Sequence, residues 1–444
     1  MKARFLTIAA IAAIMGFTAC NKEHEVDNGL FKEEGKATAM KVSINFPRGA
    51  QARSTADPNG TDEESKISTV DVFIYTGSGN FSSHAHLLAS DFTQGASTGS
   101  ADVYEYTASA KIPTSTGAKN VFVGINLPSH VVDAVKGQSA SALSSAVQTM
   151  SRSQLASNNN FVMFSTGPAN SVFVEDDSDP ANKVTVQCQR LVAKVTVETS
   201  PTMIQAGTPG IMGKLEFAIN NFNTKLFLLQ GAASAYKDPN WLSNSYVSGH
   251  FSFAVEADYA PILIGAANPS PAIADYTPRY AAENTSEEKR LKEITRATIR
   301  TTFIPRYITV GTTGAFSVDD AHGVVTPQTF YAVTPALMEG TSYFFNQSIA
   351  NAFAAEKGGS VVTYTGGYCY WDIFLNKNPL NLVNRWDVLR NDFYKCNITR
   401  IVLPGRETPE IIDPELPPDV ETNITTNIDI LFWNTPIVSD YNLE

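Results

Sequence analysis

The chain has 444 residues, 43% of them hydrophobic and only 17% charged, with a formal net charge of -11. This length exceeds what one hydrophobic core usually organises, so two domains are expected. The acidic balance argues against a nucleic-acid partner, because nothing offsets phosphate repulsion.

In chain order, a basic start (Met1-Lys2-Ala3-Arg4) precedes an apolar run from Phe5 to Phe17 and then Thr18-Ala19-Cys20. That run is too short to span a bilayer stably and reads as an export signal. Phe17-Thr18-Ala19-Cys20 resembles a lipobox, whose cysteine is acylated and becomes the first residue. Asn21 to Gly29 is polar and reads as a tether.

Alternation of apolar and polar residues predicts a half-buried strand over Ala39–Phe46, stopped by Pro47. Arg48 to Gly60 is small, polar and turn-rich, hence an exposed loop. Strands are predicted at 70–75, 103–107 and 120–126, and one or two short helices within 129–155. Residues 171–174 and 184–188 read as a hairpin around the acidic turn Glu175 to Pro180.

A boundary is placed near Arg190, after which 191–198 opens a second strand-rich region. Further strands are expected at 214–220, 225–229, 297–305, 328–333, 360–364 and 391–401, with long loops over 231–282. Pro404 to Pro418 is Pro- and Glu-rich and reads as a linker, too stiff and polar for a core element. Beyond it, Thr422 to Val438 alternates through Ile424, Ile428, Ile430 and Phe432, with Trp433 beside them. About twelve strands and little helix make the fold mainly β.

Chemistry-bearing motifs are missing: there is no Gly-x-Ser-x-Gly elbow, His-Glu-x-x-His, P-loop, Cys-x-x-Cys or dinucleotide fingerprint. His84 and His86, read as part of a loop, have no third ligand in sight, so no metal site and no cofactor is expected. Asp176-Asp177-Ser178-Asp179 reads as a solvated turn rather than a calcium loop. After Cys20 only Cys188, Cys369 and Cys396 remain, and Cys188 and Cys396 read as small buried hydrophobes on strands.

The two ends of the chain are more informative. A first strand attached through an exposed, arginine-bearing loop is removable by proteolysis. Its loss would open a groove of unpaired backbone groups, each costing roughly 1–3 kcal/mol. A strand from another molecule can fill such a groove.

Several segments carry a resemblance. They are the lipobox at Cys20, Phe46-Pro47-Arg48-Gly49-Ala50-Gln51-Ala52-Arg53, Val192-Ala193-Lys194-Val195 and Asn223-Thr224-Lys225-Leu226-Phe227-Leu228. Tyr280-Ala281-Ala282-Glu283-Asn284, Asn391-Asp392-Phe393-Tyr394-Lys395-Cys396-Asn397-Ile398 and Trp433-Asn434 follow in order. With them the chain resembles the fimbrillins, stalk subunits of the lipoprotein-derived pili of Bacteroidales.

The resemblance implies two tandem transthyretin-like β-sandwich domains with short helices in loops. It divides the chain into a signal peptide (1–20), a propeptide with tether and removable strand (21–53), an N-terminal domain (54–189) and a C-terminal domain (190–444). The last includes the linker 404–418 and a donor-type strand 422–438. It further implies a precursor held in the outer membrane through a lipid (palmitate) on Cys20 and cut after an arginine by an arginine-specific protease. Arg53 is the matched cleavage site and Arg48 the second choice. The removed strand carries Met40, Val42, Ile44 and Phe46. The replacing strand, carrying Ile424, Ile428, Ile430, Phe432 and Trp433, comes from another copy, building an adhesive cell-surface fimbrium with tip and anchor subunits. The alternative is a monomeric surface lipoprotein binding carbohydrate or host protein through aromatics such as Trp241, Tyr246, Tyr276 and Tyr280.

Overall fold

The structure is a computed structural model that describes residues 26–28, 35–47, 63–95, 103–157, 159–230, 237–241, 247–264, 277–285, 290–310, 317–320, 326–334, 342–376, 386–410, 415 and 424–432. The chain is mostly β, and the α-helices among the described residues are Ser129–Val135, Arg152–Leu155 and Gln347–Lys357.

The predicted first strand forms over Ala37–Pro47, so Pro47 closes it from within. It belongs to an eleven-stranded sheet made from residues before Leu191. Across that sheet run Val26–Asn28, Phe81–Leu88, Thr69–Thr76, Gly117–Ile125, Met163–Ser165, Lys183–Arg190, Ala37–Pro47, Val103–Ala108 and Phe92–Gln94. Ala169–Phe173 adds to Gly117–Ile125, and Ile112–Ser115 to Ala37–Pro47. Alternation is strict in Lys183–Arg190, where Val184, Val186 and Cys188 are buried while Lys183, Thr185 and Gln187 face outward.

The ladder changes sheets at Leu191. Val192–Gly207, sixteen residues long, pairs in parallel with Asp392–Leu403, which in turn carries Ile424–Phe432. A second five-stranded sheet centres on Arg296–Pro305, flanked by Glu216–Asn220 and Tyr368–Phe374. Helix Gln347–Lys357 starts where the Asn346 side chain accepts from Ile349 N–H and ends at Gly358 in the left-handed region (φ 69°). It packs Ala350, Phe353 and Ala354 onto Val333 and Phe344. One buried apolar cluster runs from Met40 through Val192 to Leu403.

Several expectations are corrected. His84 and His86 are on the Phe81–Leu88 strand, not in a loop. The segments at 171–174 and 184–188 do not form a hairpin with each other. Ala169–Phe173 pairs with Gly117–Val121, whereas Lys183–Gln187 lies parallel to Lys41–Asn45. Between them the Asn182 side-chain amide occupies the turn. Its Oδ1 accepts from Val174 N–H (2.9 Å), and its Nδ2 donates to Val174 O (2.9 Å), Thr38 Oγ1 (3.0 Å) and Ala39 O (3.1 Å). Short strands such as Phe251–Ser252, Ala260–Pro261 and Leu263–Ile264 interrupt the expected loops of 231–282. The strands number well above twelve, because many are two- or three-residue bridges that periodicity cannot register. Finally, Pro404–Glu410 is not a free linker: Gly405 is buried against Trp371, and Arg406 pairs with Tyr370 in both backbone directions.

Candidate assembly site

The Ala37–Pro47 strand is an interior strand. Lys41–Asn45 runs parallel to Lys183–Gln187 on one edge. On the other edge Ala37–Met40 pairs antiparallel with Ile112–Ser115, and Ser43–Pro47 with Val103–Thr107. Met40, Val42 and Ile44 have no exposed surface, while Lys41, Ser43 and Asn45 alternate with them half-buried. Phe46 pairs with Tyr104 through its backbone, and its side chain lies outside the described residues. Ser43 Oγ and Thr107 Oγ1 hydrogen-bond at 2.9 Å, and Thr38 Oγ1 donates to Val174 O (2.8 Å). Lys36 pairs with Glu175 at the strand entrance.

Arg48 and Arg53 lie outside the described residues, as does Cys20. Past that stretch the chain re-enters at Glu63–Ser65 and is fixed firmly. The buried Glu64 carboxylate meets Lys194 Nζ (2.9 Å) and accepts from Tyr280 OH (2.6 Å). Arg190 donates from Nε to Glu64 O (3.0 Å) and from Nη2 to Ser65 Oγ (2.7 Å). Burial pushes the Lys194 ammonium down, with Glu64 opposing, and pushes the Tyr280 phenol up. Sequence reasoning missed this cluster: Arg190 served only to mark a boundary, and Lys194 was read only as part of a strand.

The terminal strand Ile424–Phe432 is placed differently. Among the described residues it pairs antiparallel with Asp392–Leu403 alone, with Ile424 opposite Ile401, Ile428 opposite Cys396, Ile430 opposite Tyr394 and Phe432 opposite Asp392. Ile428 is half-buried and packs on the main core. The side chains of Ile424, Ile430 and Phe432, and all of Trp433, lie outside the described residues. Among the described residues the terminal strand and the first strand belong to separate sheets.

The connection between them contains a second buried charge cluster unseen from the sequence. Asp372 contacts Arg296 Nε (3.1 Å), and accepts from Arg406 Nη2 (2.6 Å) and Thr298 Oγ1 (2.7 Å). Other candidates resolve as packing. Asp71 Oδ1 is shared by His84 Nε2 (2.9 Å) and His86 Nδ1 (2.8 Å). Among the described residues no group of three or more His, Cys, Asp or Glu is placed to hold a metal. Cys188, Cys369 and Cys396 are buried free thiols, and burial pushes Cys369 up to about 12. Tyr280 turns inward onto Glu64 and Phe161, and Lys237 sits 4.7 Å from the Trp241 ring centre. Tyr246 and Tyr276 are outside the described residues.

The sequence matches the family model for the major fimbrial subunit protein (FimA) over residues 40–204. It also matches the model for the C-terminal part of fimbrillin, major fimbrial subunit protein type IV, over residues 362–437. The chain belongs to the fimbrillin family. This fimbrillin is a structural subunit rather than an enzyme, and it assembles with other fimbrial subunits into cell-surface fimbriae. The two matched stretches contain most of the first strand and all of the terminal strand.

Similar solved structures include a candidate cell adhesion protein from Parabacteroides distasonis, at 13% identity and TM-score 0.48, covering 90% of this chain and 99% of that one. A fimbrilin from Porphyromonas gingivalis W83 is 14% identical with TM-score 0.45, covering 89% and 98%. The tip fimbrial protein Mfa3 of Porphyromonas gingivalis is 14% identical with TM-score 0.38, covering 89% and 100%. No curated protein matches.

Proposed function

We propose that this fimbrillin is exported as a lipoprotein through Cys20, cut after Arg53 (Arg48 being the second choice), and polymerised by donor-strand exchange. The first strand leaves with the lipid, and the terminal strand 422–438 of another copy enters its slot. The product is an adhesive fibre whose subunits keep an N-terminal domain over 54–189 and a C-terminal domain over 190–444, capped and anchored by accessory subunits.

One observation carries this reading. A strand with ladders on both edges and three fully buried side chains lies just before Arg48 and Arg53 in the sequence, while among the described residues Ile424–Phe432 is paired on one edge. Removing the first leaves two open ladder edges and an apolar trough, costly to leave in water. Leaving its own sheet costs the second a single ladder. Replacement therefore gains more backbone pairing than it gives up. The Glu64 cluster supports the same reading, because it keeps the chain after the loop in place when the strand before it departs.

The test is to treat the purified precursor with an arginine-specific protease and run the product on a gel without boiling. Ladders that disappear in Arg53→Ala, and in a chain ending at Pro418, are expected. A stable monomer after clean cutting at Arg53 would overturn the reading.

A further inference from the structure

The slot of the first strand dictates a register to whatever replaces it. Met40, Val42 and Ile44 share one face and have no exposed surface, so a replacing strand must bring apolar residues to these alternate places. Thr38, two residues earlier on the same face, is bonded instead. Its Oγ1 donates to Val174 O (2.8 Å) and accepts from Nδ2 of the fully buried Asn182 (3.0 Å). Asn182 Nδ2 also donates to Ala39 O (3.1 Å), just before the parallel ladder opens with Lys183 opposite Lys41. Asn182 is itself held by Val174, accepting from its N–H and donating to its O (2.9 Å each). Val174 lies beyond the proposed cut, so the amide keeps its place when the first strand leaves. On the outward face, Lys41 opposite Lys183 sets two cations side by side, an unfavourable pair in a sheet.

The terminal strand carries a matching series, Thr426-Asn427-Ile428-Asp429-Ile430-Leu431-Phe432. Laid in the direction of the first strand with Thr426 at the place of Thr38, it brings Ile428, Ile430 and Phe432 to the places of Met40, Val42 and Ile44. Asp429 then takes the place of Lys41, opposite Lys183, and an attractive pair replaces a repulsive one. Other registers lose these matches. A shift of two residues one way puts Thr426 in the buried place of Met40 and Ile424 where a hydroxyl bonds Asn182. Two residues the other way put Asn434 in the buried place of Ile44. A shift of one turns the apolar residues outward. The reverse direction fills the apolar places but moves Asp429 to the place of Ser43, between Thr107 and Thr185.

We propose that Asn182 and Lys183 are the positioning residues that set the register of the exchanged strand. Asn182 takes the Thr426 hydroxyl of a second copy as it took that of Thr38, and Lys183 takes the Asp429 carboxylate. This rests on the strand-exchange reading, and it names how the incoming strand sits.

The experiment grows fibres from a mixture of isotopically labelled and unlabelled precursor cut with an arginine-specific protease. A carbodiimide, which joins a carboxylate to an amine only where the two touch, is added, and the linked peptides are mapped by mass. A mixed-isotope amide between Asp429 and Lys183 is expected, absent from the uncut chain and lost in Lys183→Gln. Thr426→Val should slow ladder formation by about three- to tenfold, and Thr426→Ser should restore it. In an Asn182→Ala background the gap between those two variants should narrow. Fibres in which Asp429 links to a different lysine, or forms no link while Thr426→Val assembles as fast as wild type, would overturn the register and leave strand exchange standing. A precursor cut cleanly that gives no ladder in any of these chains would overturn strand exchange, and the register with it.

Discussion

Val42 and Val184 face each other across a parallel ladder, and that pairing fixes where a replacing strand must lie. Lys183–Gln187 cannot leave with the first strand, because Ser165 to Met163 hold the far end of the same strand on its other edge. The slot keeps one wall whatever happens to residues 37–47. Its other wall, Val103–Ala108, is braced in turn by Phe92–Gln94.

Ile44 fills this slot with no exposed surface. Ile44→Ala should therefore lower the stability of the uncut chain by about 2–4 kcal/mol in urea denaturation. Once the chain is cut and assembled, the same variant should resist detergent as well as wild type does, since the altered strand is gone. Fibres weakened to the same degree as the precursor would mean that the strand had stayed.

Ile428 lies half-buried on a strand with a single ladder partner among the described residues. Ile428→Asp should leave the uncut monomer folded, with a melting temperature lowered by only a few degrees, about 1–2 kcal/mol for a chain of this size. Ladder formation after cutting should be abolished, because the aspartate would have to enter an apolar trough. Ladders formed at the wild-type rate would show that another segment fills the slot.

Burial raises the Asp392 carboxyl to about 7, with the Tyr394 hydroxyl opposing and Glu283 adding to the rise. The folded state thus holds this proton more tightly than the unfolded chain, whose carboxyl titrates near 4. The stabilisation is complete below about pH 4 and is lost as pH rises through about 7, amounting to at most about 4 kcal/mol. Asp392→Asn should flatten this part of the profile, read as the difference between variant and wild type in urea midpoints at pH 4.5 and 7.5. Parallel profiles would contradict the assignment.

Asp372 neutralises two arginines, of which Arg296 is fully buried. Asp372→Ala should cost about 3–5 kcal/mol, because Arg296 is left buried without its counter-charge. A loss below 1 kcal/mol in chemical denaturation would show that Arg296 finds water or another acceptor.

The parts of the fold legible in the sequence were those with alternation, such as Ala37–Pro47 and Asp392–Leu403, or with a continuous apolar run between turn residues, such as Thr69–Thr76. Phe81–Leu88 was missed because Ser82, Ser83 and His84 are polar yet buried, with His84 paired to Asp71 on the neighbouring strand. A cross-strand partner thirteen residues away leaves no periodic trace. The false hairpin at 171–188 failed for a similar reason: the two segments pair with Gly117–Val121 and Lys41–Asn45, partners distant in sequence, while the Asn182 side chain bonds the turn's backbone. Composition made Pro404–Glu410 look like a free linker, while its backbone bonds to Tyr370 and the Arg406–Asp372 contact tie it down. In the candidate site, the burial of Met40, Val42 and Ile44 was readable from their alternation, and the charged clusters around Glu64 and Asp372 were not. Those depend on residues brought together from distant strands.

The most direct test of the account is to mix isotopically labelled and unlabelled precursor, cut with an arginine-specific protease, cross-link the resulting fibres and identify the linked peptides by mass. The account predicts mixed-isotope links between residues 424–432 and residues 183–187 or 103–108, absent before cutting. Fibres in which 424–432 links only to residues 392–403 of its own chain would contradict it.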